Sequence, residues 1–218
     1  MVNKYHLLIS VPGSFDNTAK GKFFEDFISE ILRPLRYNII SRLRVTGMEI
    51  DLLAKGEDQP RTVLVECKAH RDALPSDVIS KLLGNVMIRE ADEGWLFSTS
   101  DLSKDAKGQW EEIQGNINLR KKFTWYSPQR IIEVLIAQNS IIDPVSLSQH
   151  LIEFTAGDWT LIIVPSGFFW LIELIEDGIP TRYSLFDART GNLPTKQRAI
   201  DIVQVSPRFD SPIVSRNK

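Results

Sequence analysis

The sequence predicts a mixed α/β fold followed by a small antiparallel β-meander, and three observations predict it. An amphipathic helical repeat runs from Thr18 to Arg33, with Phe23, Phe24, Phe27, Ile28, Ile31 and Leu32 at helical spacing. Strand-like runs between Ile39 and Ala69 then give way to alternating helical and strand periods as far as about Gln138. Beyond Asn139 the texture changes to aromatic and β-branched runs broken by Pro-Ser-Gly and Glu-Asp-Gly-Ile-Pro.

Each element has a local reason. Pro34 and the turn-prone Tyr37-Asn38 stop the first helix, and Ile39 to Val45 and Met48 to Ala54 read as strands split by Thr46-Gly47. After the loop Gly56 to Pro60, Thr62 to Ala69 is a third strand. Pro75 suits the first turn of a helix carrying Val78, Ile79, Leu82, Leu83, Val86 and Met87 on one face. Gly94 resets the period; Trp95 to Thr99 is a short buried strand, Leu102 to Ile113 a helix and Phe123 to Tyr126 a strand. Ser127-Pro128 caps a last helix of this part. The meander comprises Trp159 to Val164, Phe168 to Leu174 and Thr181 to Phe186. The expected organisation is therefore a first domain over residues 1–139, a small β-rich subdomain over 140–205, and a linker or tail over 206–218 containing Pro207 and Pro212.

Composition sets the class. The 218 residues are 43% hydrophobic and 25% charged, which suits a soluble globular protein with a proper core. The 26 basic and 28 acidic residues leave a formal net charge of −2 and are spread evenly, so bulk attraction to nucleic acid or to an anionic membrane is not expected, although a local basic patch is compatible with it. Cys67 is the only cysteine, which excludes an intramolecular disulfide and a zinc ribbon and suits a reducing cytoplasm. No signal-peptide pattern opens the chain, and no run approaches the ~18 apolar residues of a membrane span.

The chemistry concentrates in Gly47-Met-Glu-Ile-Asp51-Leu-Leu-Ala and Thr62-Val-Leu-Val-Glu66-Cys67-Lys68-Ala, two strands near enough in sequence to form a hairpin. The register that sets Leu52 against Val65, Ala54 against Val63 and Ile50 against Cys67 makes one continuous apolar face. The other face then pairs Leu53 with Leu64, Asp51 with Glu66 and Glu49 with Lys68. Two ionised carboxylates about 5 Å apart repel by roughly 3 kcal/mol at an effective dielectric near 20, so a counter-charge is expected beside them. Magnesium prefers hard oxygen ligands from one or two carboxylates while keeping waters, which matches Asp51, Glu66 and the backbone carbonyl of Cys67; manganese is the natural substitute. Lys68 would stay outside the metal shell, orienting or helping to deprotonate an attacking water and offsetting charge on a phosphate.

Asp51 followed by Glu66-x-Lys68 on the next strand resembles the PD-(D/E)xK nuclease signature, with Ile50 where the signature has proline. The surroundings resemble the Mrr-type restriction endonuclease branch: Gly21-Lys-Phe-Phe-Glu25-Asp-Phe, Ile79 to Gly84, and Gly94-Trp-Leu-Phe-Ser98-Thr99-Ser100, over about residues 18 to 136. Many Mrr relatives have Gln where this chain has Glu66, so the chain moves toward the parent motif. The resemblance implies a restriction-endonuclease-like core, a mixed central sheet flanked by helices, and magnesium-dependent hydrolysis of DNA phosphodiesters. It also implies a metal-assisting acid on the first helix, the position of Glu25 here. Similar domains begin large bacterial defence proteins, including STAND-type ATPases. This implies a role in restriction or anti-phage defence, action as a homo-oligomer, and a fused or associated sensor ATPase.

Other features have plainer readings. Glu25-Asp26 also fits the polar side of a helix, and Ser98, Thr99 and Ser100 fit either a phosphate site or ordinary turn and capping roles. Cys67 reads as a reduced core thiol; His6, His70 and His150 are dispersed. Arg42, Arg44, Lys55, Arg61, Arg71, Lys81 and Arg89 surround the site in sequence and offer a positive rim. No Walker phosphate loop is present, and residues beyond Asn139 show no helix-turn-helix pattern. The competing reading is a nucleic-acid-binding or assembly module that keeps the fold and cleaves nothing.

Overall fold

The computed structural model describes residues 5–12, 14–45, 48–148, 155–177 and 179–204, with the side chains of 41–49, 148, 155–156, 176, 179–182 and 203–204 outside that description. In chain order the elements are β1 (Tyr5–Ile9), α1 (Asn17–Leu32), β2 (Tyr37–Val45), β3 (Met48–Gly56) and β4 (Thr62–Lys68). They continue as α2 (Ser76–Ile88), β5 (Glu93–Ser98), α3 (Lys104–Gly115), β6 (Phe123–Tyr126), α4 (Pro128–Ala137) and α5 (Pro144–Ser148). The last are β7 (Thr155–Val164), β8 (Gly167–Glu176), β9 (Ile179–Asp187) and α6 (Lys196–Gln204). The chain divides into two compact units, Asn17–Ile131 and the combination of Met1–Asp16 with Ile132–Lys218. The tail expected over 206–218, His150 and the Thr46-Gly47 turn lie outside the described residues.

The first unit is built on a five-stranded mixed sheet in the order β2-β3-β4-β5-β6. The β2–β3 and β3–β4 pairs are antiparallel, and β4–β5 and β5–β6 are parallel, with α2 and α3 as the crossovers the parallel pairs require. Helix α1 packs on β3 and β4 through a stripe in which Phe24, Phe27, Ile28, Ile31 and Leu32 are buried. Helices α2 and α3 contribute Ile79, Leu82, Val86, Ala106 and Ile113 to a core with Leu64, Leu96 and Phe123. Helix α2 comes very close to β5: a Cβ on Gly94 would stand 2.8 Å from Val86 Cγ2 and 3.0 Å from Leu82 Cγ. Only a residue without a side chain allows that approach.

Helix α3 begins at Lys104, two residues later than its apolar period suggests, because Ser103 is its N-cap and accepts the Ala106 N–H at 3.2 Å. Leu102 instead forms an isolated parallel bridge with Leu74.

The second unit holds the expected meander, β7-β8-β9, with antiparallel neighbours and a two-residue loop, Pro165-Ser166, between Val164 and Gly167. A fourth strand joins it that sequence patterning did not reveal: β1 pairs in parallel with β7, Tyr5 against Trp159 through Ile9 against Ile163. Leu161, Trp170, Ile172 and Trp159 are fully or almost fully buried, and Trp170 Nε1 donates to the Ile142 carbonyl at 2.9 Å. Ile202 of α6 packs with Ile162, Val164, Phe169 and Leu171. Mixed α/β architecture with sheets flanked by helices, the second sheet containing an antiparallel meander, is thus what the chain forms.

Candidate active site

The β3–β4 ladder has the register that the apolar pattern requires: Leu52 opposes Val65, Leu53 opposes Leu64, Ala54 opposes Val63 and Lys55 opposes Thr62. Leu52, Ala54, Val63 and Val65 are each at most 1% exposed. One part of the expected face differs. Ile50 packs in the cluster of Leu64, Leu74 and Ile79 instead of continuing the row of Leu52 and Ala54. The described ladder ends at Leu52 and Val65, so strict alternation across the pair is not enforced beyond them.

Where the ladder ends, the Asp51 side chain takes over. Its Oδ2 accepts the Cys67 backbone N–H at 2.7 Å, which holds the carboxylate against β4. Strand β4 is the centre of the sheet, so Glu66 is buried, at 4% exposure, between neighbours on both sides. Lys68, two residues along and on the same face, brings Nζ to 2.5 Å from Glu66 Oε1. Asp51, Glu66, the Cys67 backbone and Lys68 are therefore brought together at one end of the central strand.

The electrostatics follow from that crowding. Burial, and then the charge of Glu66, push the Asp51 carboxyl up from 3.8 to about 6; the Cys67 N–H and Lys68 oppose the rise and Glu25 adds to it. Burial works against the charged Lys68, but the Glu66 charge and hydrogen bond, with Asp51, outweigh it and raise the ammonium above its usual value. Burial, aided by Asp51, Glu25 and Glu66, pushes the Cys67 thiol far up, so it is a protonated core thiol and no nucleophile. Glu25 on α1 makes its presence felt at Asp51 and Cys67 through its charge.

Among the described residues, no three His, Cys, Asp or Glu side chains converge as a metal-holding group. What converges is the Asp51–Glu66 pair of hard oxygen donors, with the Asp51 carboxyl raised first by burial and then by the Glu66 charge. Magnesium is commonly held by one or two carboxylates with waters retained, so this donor set fits a divalent cation.

Several neighbours have other roles than the ones their sequence positions suggest. Lys55 and Arg61 stand at the far end of the hairpin from Lys68, about 20 Å away at ~3.3 Å per residue. Arg61 is ion-paired with the buried Glu93, which also accepts Trp95 Nε1 at 2.7 Å. The Ser98 hydroxyl donates to the Ser100 carbonyl at 2.8 Å and accepts from Trp125 Nε1 at 2.9 Å. Thr99 donates its hydroxyl to the His70 carbonyl at 2.9 Å and its N–H to the Lys68 carbonyl. The Thr99 hydroxyl thus fastens the segment after β4 to the end of β5, and the Ser98 hydroxyl ties the end of β5 to Trp125 on β6, structural roles that turn-like sequence chemistry alone does not distinguish from phosphate binding. His70 is exposed, and the side chains of Arg42, Arg44 and Glu49 fall outside the described residues.

A mixed α/β unit with paired carboxylates and a lysine at the end of its central strand is the class of protein that the fold and site define. Residues 17–123 match the Mrr_cat family, described as restriction endonuclease, and this match supports a nuclease function. No curated protein matches the sequence. Among solved structures, the chain is similar to the DNA modification-dependent restriction endonuclease AspBHI at 17% identity and TM-score 0.42, over 60% of this chain and 34% of that one. It is likewise similar to MspJI restriction endonuclease, determined in complex with a 27-mer oligonucleotide, at 14% identity and TM-score 0.39, over 62% and 32%. A protein of unknown function, AF1548, aligns at 16% identity and TM-score 0.42 over 60% and 76%. The matched part thus spans about a third of the length of AspBHI and MspJI. No helix among the described residues is long and apolar enough to cross a membrane.

Proposed function

We propose that this chain is a metal-dependent endodeoxyribonuclease that hydrolyses DNA phosphodiester bonds at the Asp51–Glu66–Lys68 site. The observation that carries the reading is the Asp51 carboxylate, fixed by the Cys67 N–H beside a buried Glu66 that is paired with Lys68. The family match over residues 17–123 supports it.

In this reading Asp51 and Glu66, with the Cys67 carbonyl, would hold a magnesium or manganese ion, and Glu25 would support that shell through its charge. A bound divalent ion would polarise the phosphoryl group and lower the pKa of a water. Lys68, kept cationic by its carboxylate neighbours, orients the attacking water and offsets negative charge that builds on the phosphate. Glu66 in turn keeps the lysine in place, and the Cys67 N–H keeps the Asp51 carboxylate in one orientation.

Plasmid nicking in magnesium and in manganese tests the proposal. Asp51→Ala and Lys68→Ala should each lower the nicking rate by about 100-fold or more. Unchanged nicking in both variants rules the site out, and a native chain that cuts no DNA in either metal favours a non-catalytic DNA-binding or assembly module. We extend the proposal to its setting: restriction or anti-phage defence in the cytoplasm, DNA as partner, and action as a homo-oligomer with a fused or associated sensor ATPase. The description of the matched family supports the restriction setting. Size-exclusion chromatography and the length of the gene product test the oligomer and the fusion.

A further inference from the structure

The second unit carries a polar cavity that the proposed nuclease chemistry does not use. It has a volume of about 220 Å³ and lies on one face of the β1-β7-β8-β9 sheet. Its polar lining is His6, Asp158, Thr160, Glu173 and Tyr183, and its apolar lining is Leu8 and Leu171.

The backbone is shaped around this polar lining. Ala156 opposes Leu174 and Trp159 opposes Ile172, so Gly157 and Asp158 together face the single residue Glu173 in a β-bulge. A Cβ on Gly157 would lie 2.9 Å from Glu173 Oε2 and 2.8 Å from Ile175 Cδ1. Glycine therefore makes room for the Glu173 carboxylate, and the bulge re-aims Asp158. The polar groups are already oriented: His6 Nε2 lies 3.1 Å from Asp158 Oδ2, and Tyr183, directly opposite Glu173 on β9, is hydrogen-bonded to it.

Charge and size select the ligand. Two carboxylates line the cavity with no lysine or arginine among its described lining residues, which disfavours a phosphate or another anion. The volume is below the roughly 300 Å³ at which drug-sized ligand sites begin, so a nucleotide is too large. A cation with a short alkyl stem fits both parts, its head on the carboxylates and beside the Tyr183 ring, its stem on Leu8 and Leu171. We propose that this cavity is a binding site for a monoalkyl guanidinium or ammonium group about one side chain in length.

Isothermal titration of the full chain with n-butylguanidinium, n-butylammonium and the uncharged n-butylurea tests this, and its outcome is independent of nuclease activity. An arginine-containing peptide with blocked ends forms a fourth arm. The cations, the peptide or both should bind saturably while the urea does not; binding by the peptide alone identifies the source as a protein segment. Glu173→Gln and Asp158→Asn should each weaken binding about tenfold, with far-ultraviolet circular dichroism and melting temperature showing a retained fold. The proposal is overturned if no cation or peptide saturates, if the urea binds as well, or if folded Glu173→Gln binds as tightly as the native chain.

Discussion

Asp51 accepts the backbone N–H of Cys67 through Oδ2 at 2.7 Å, so a β3 side chain completes the backbone pairing of β4 just past the last pair of their described ladder. That bond favours the ionised carboxylate, yet burial and Glu66 overcome it and leave Asp51 near pH 6.

The first prediction concerns stability and pH. A carboxyl raised from 3.8 to about 6 by folding contributes stability that is complete below its ordinary value and is lost as pH rises through 6. The loss is about 3 kcal/mol by neutral pH. Asp51→Asn removes the titration, so the variant should gain on the native protein between pH 4.5 and 7.5 in urea unfolding. A difference between the two proteins that stays constant over this interval contradicts the assignment.

A divalent cation should relieve the same repulsion. Manganese added at pH 7.5 should raise the melting temperature of the native chain, and should raise it much less at pH 5, where Asp51 is largely protonated. Chelation should reverse the rise, and Asp51→Ala should abolish it. Equal shifts in the native chain and Asp51→Ala place the ion elsewhere.

Lys68 is the counter-charge of a buried acid. Lys68→Met leaves Glu66, at 4% exposure, without its cation and should cost about 3 kcal/mol in denaturant unfolding at pH 7.5. The double variant with Glu66→Gln should recover a good part of that cost, giving a coupling energy of about 1 kcal/mol or more. Additive single effects would show that the pair contributes nothing to the fold.

Gly94 tests how α2 is seated. Gly94→Ala drives a methyl group to within 3 Å of the buried Val86 and should lower stability by about 1 to 3 kcal/mol. The denaturation midpoint reads this directly. A neutral result means that α2 can lift from β5 without cost.

The hairpin that carries the site was legible because alternation excludes every one-residue slip that would expose Leu52, Ala54, Val63 and Val65, and the register that pairs Leu52 with Val65 and Ala54 with Val63 brings Asp51 toward Glu66. Alternation says nothing about where a ladder stops, however, so Ile50 leaves the expected row and Asp51 bonds to backbone. Proximity in sequence also misled for Lys55 and Arg61, since an extended hairpin separates its turn from its open end. Strand β1 escaped notice because Tyr5–Ile9 is short and its partner begins at Thr155. The hydroxyls of Ser98 and Thr99 were ambiguous for a different reason: capping and ligand-binding residues have the same composition, and only partners such as Trp125 and His70 separate them.

The parallel pairing of β1 with β7 also orders events on the ribosome. Strand β1 must wait for this partner until Trp159 to Ile163 have been synthesised, while residues 17–131 can already close their own sheet. The sheet that bears the cation cavity is thus the late-forming part of the molecule, and deleting Tyr5–Ile9 should leave nascent β7 with an open edge ready to capture a strand from another chain.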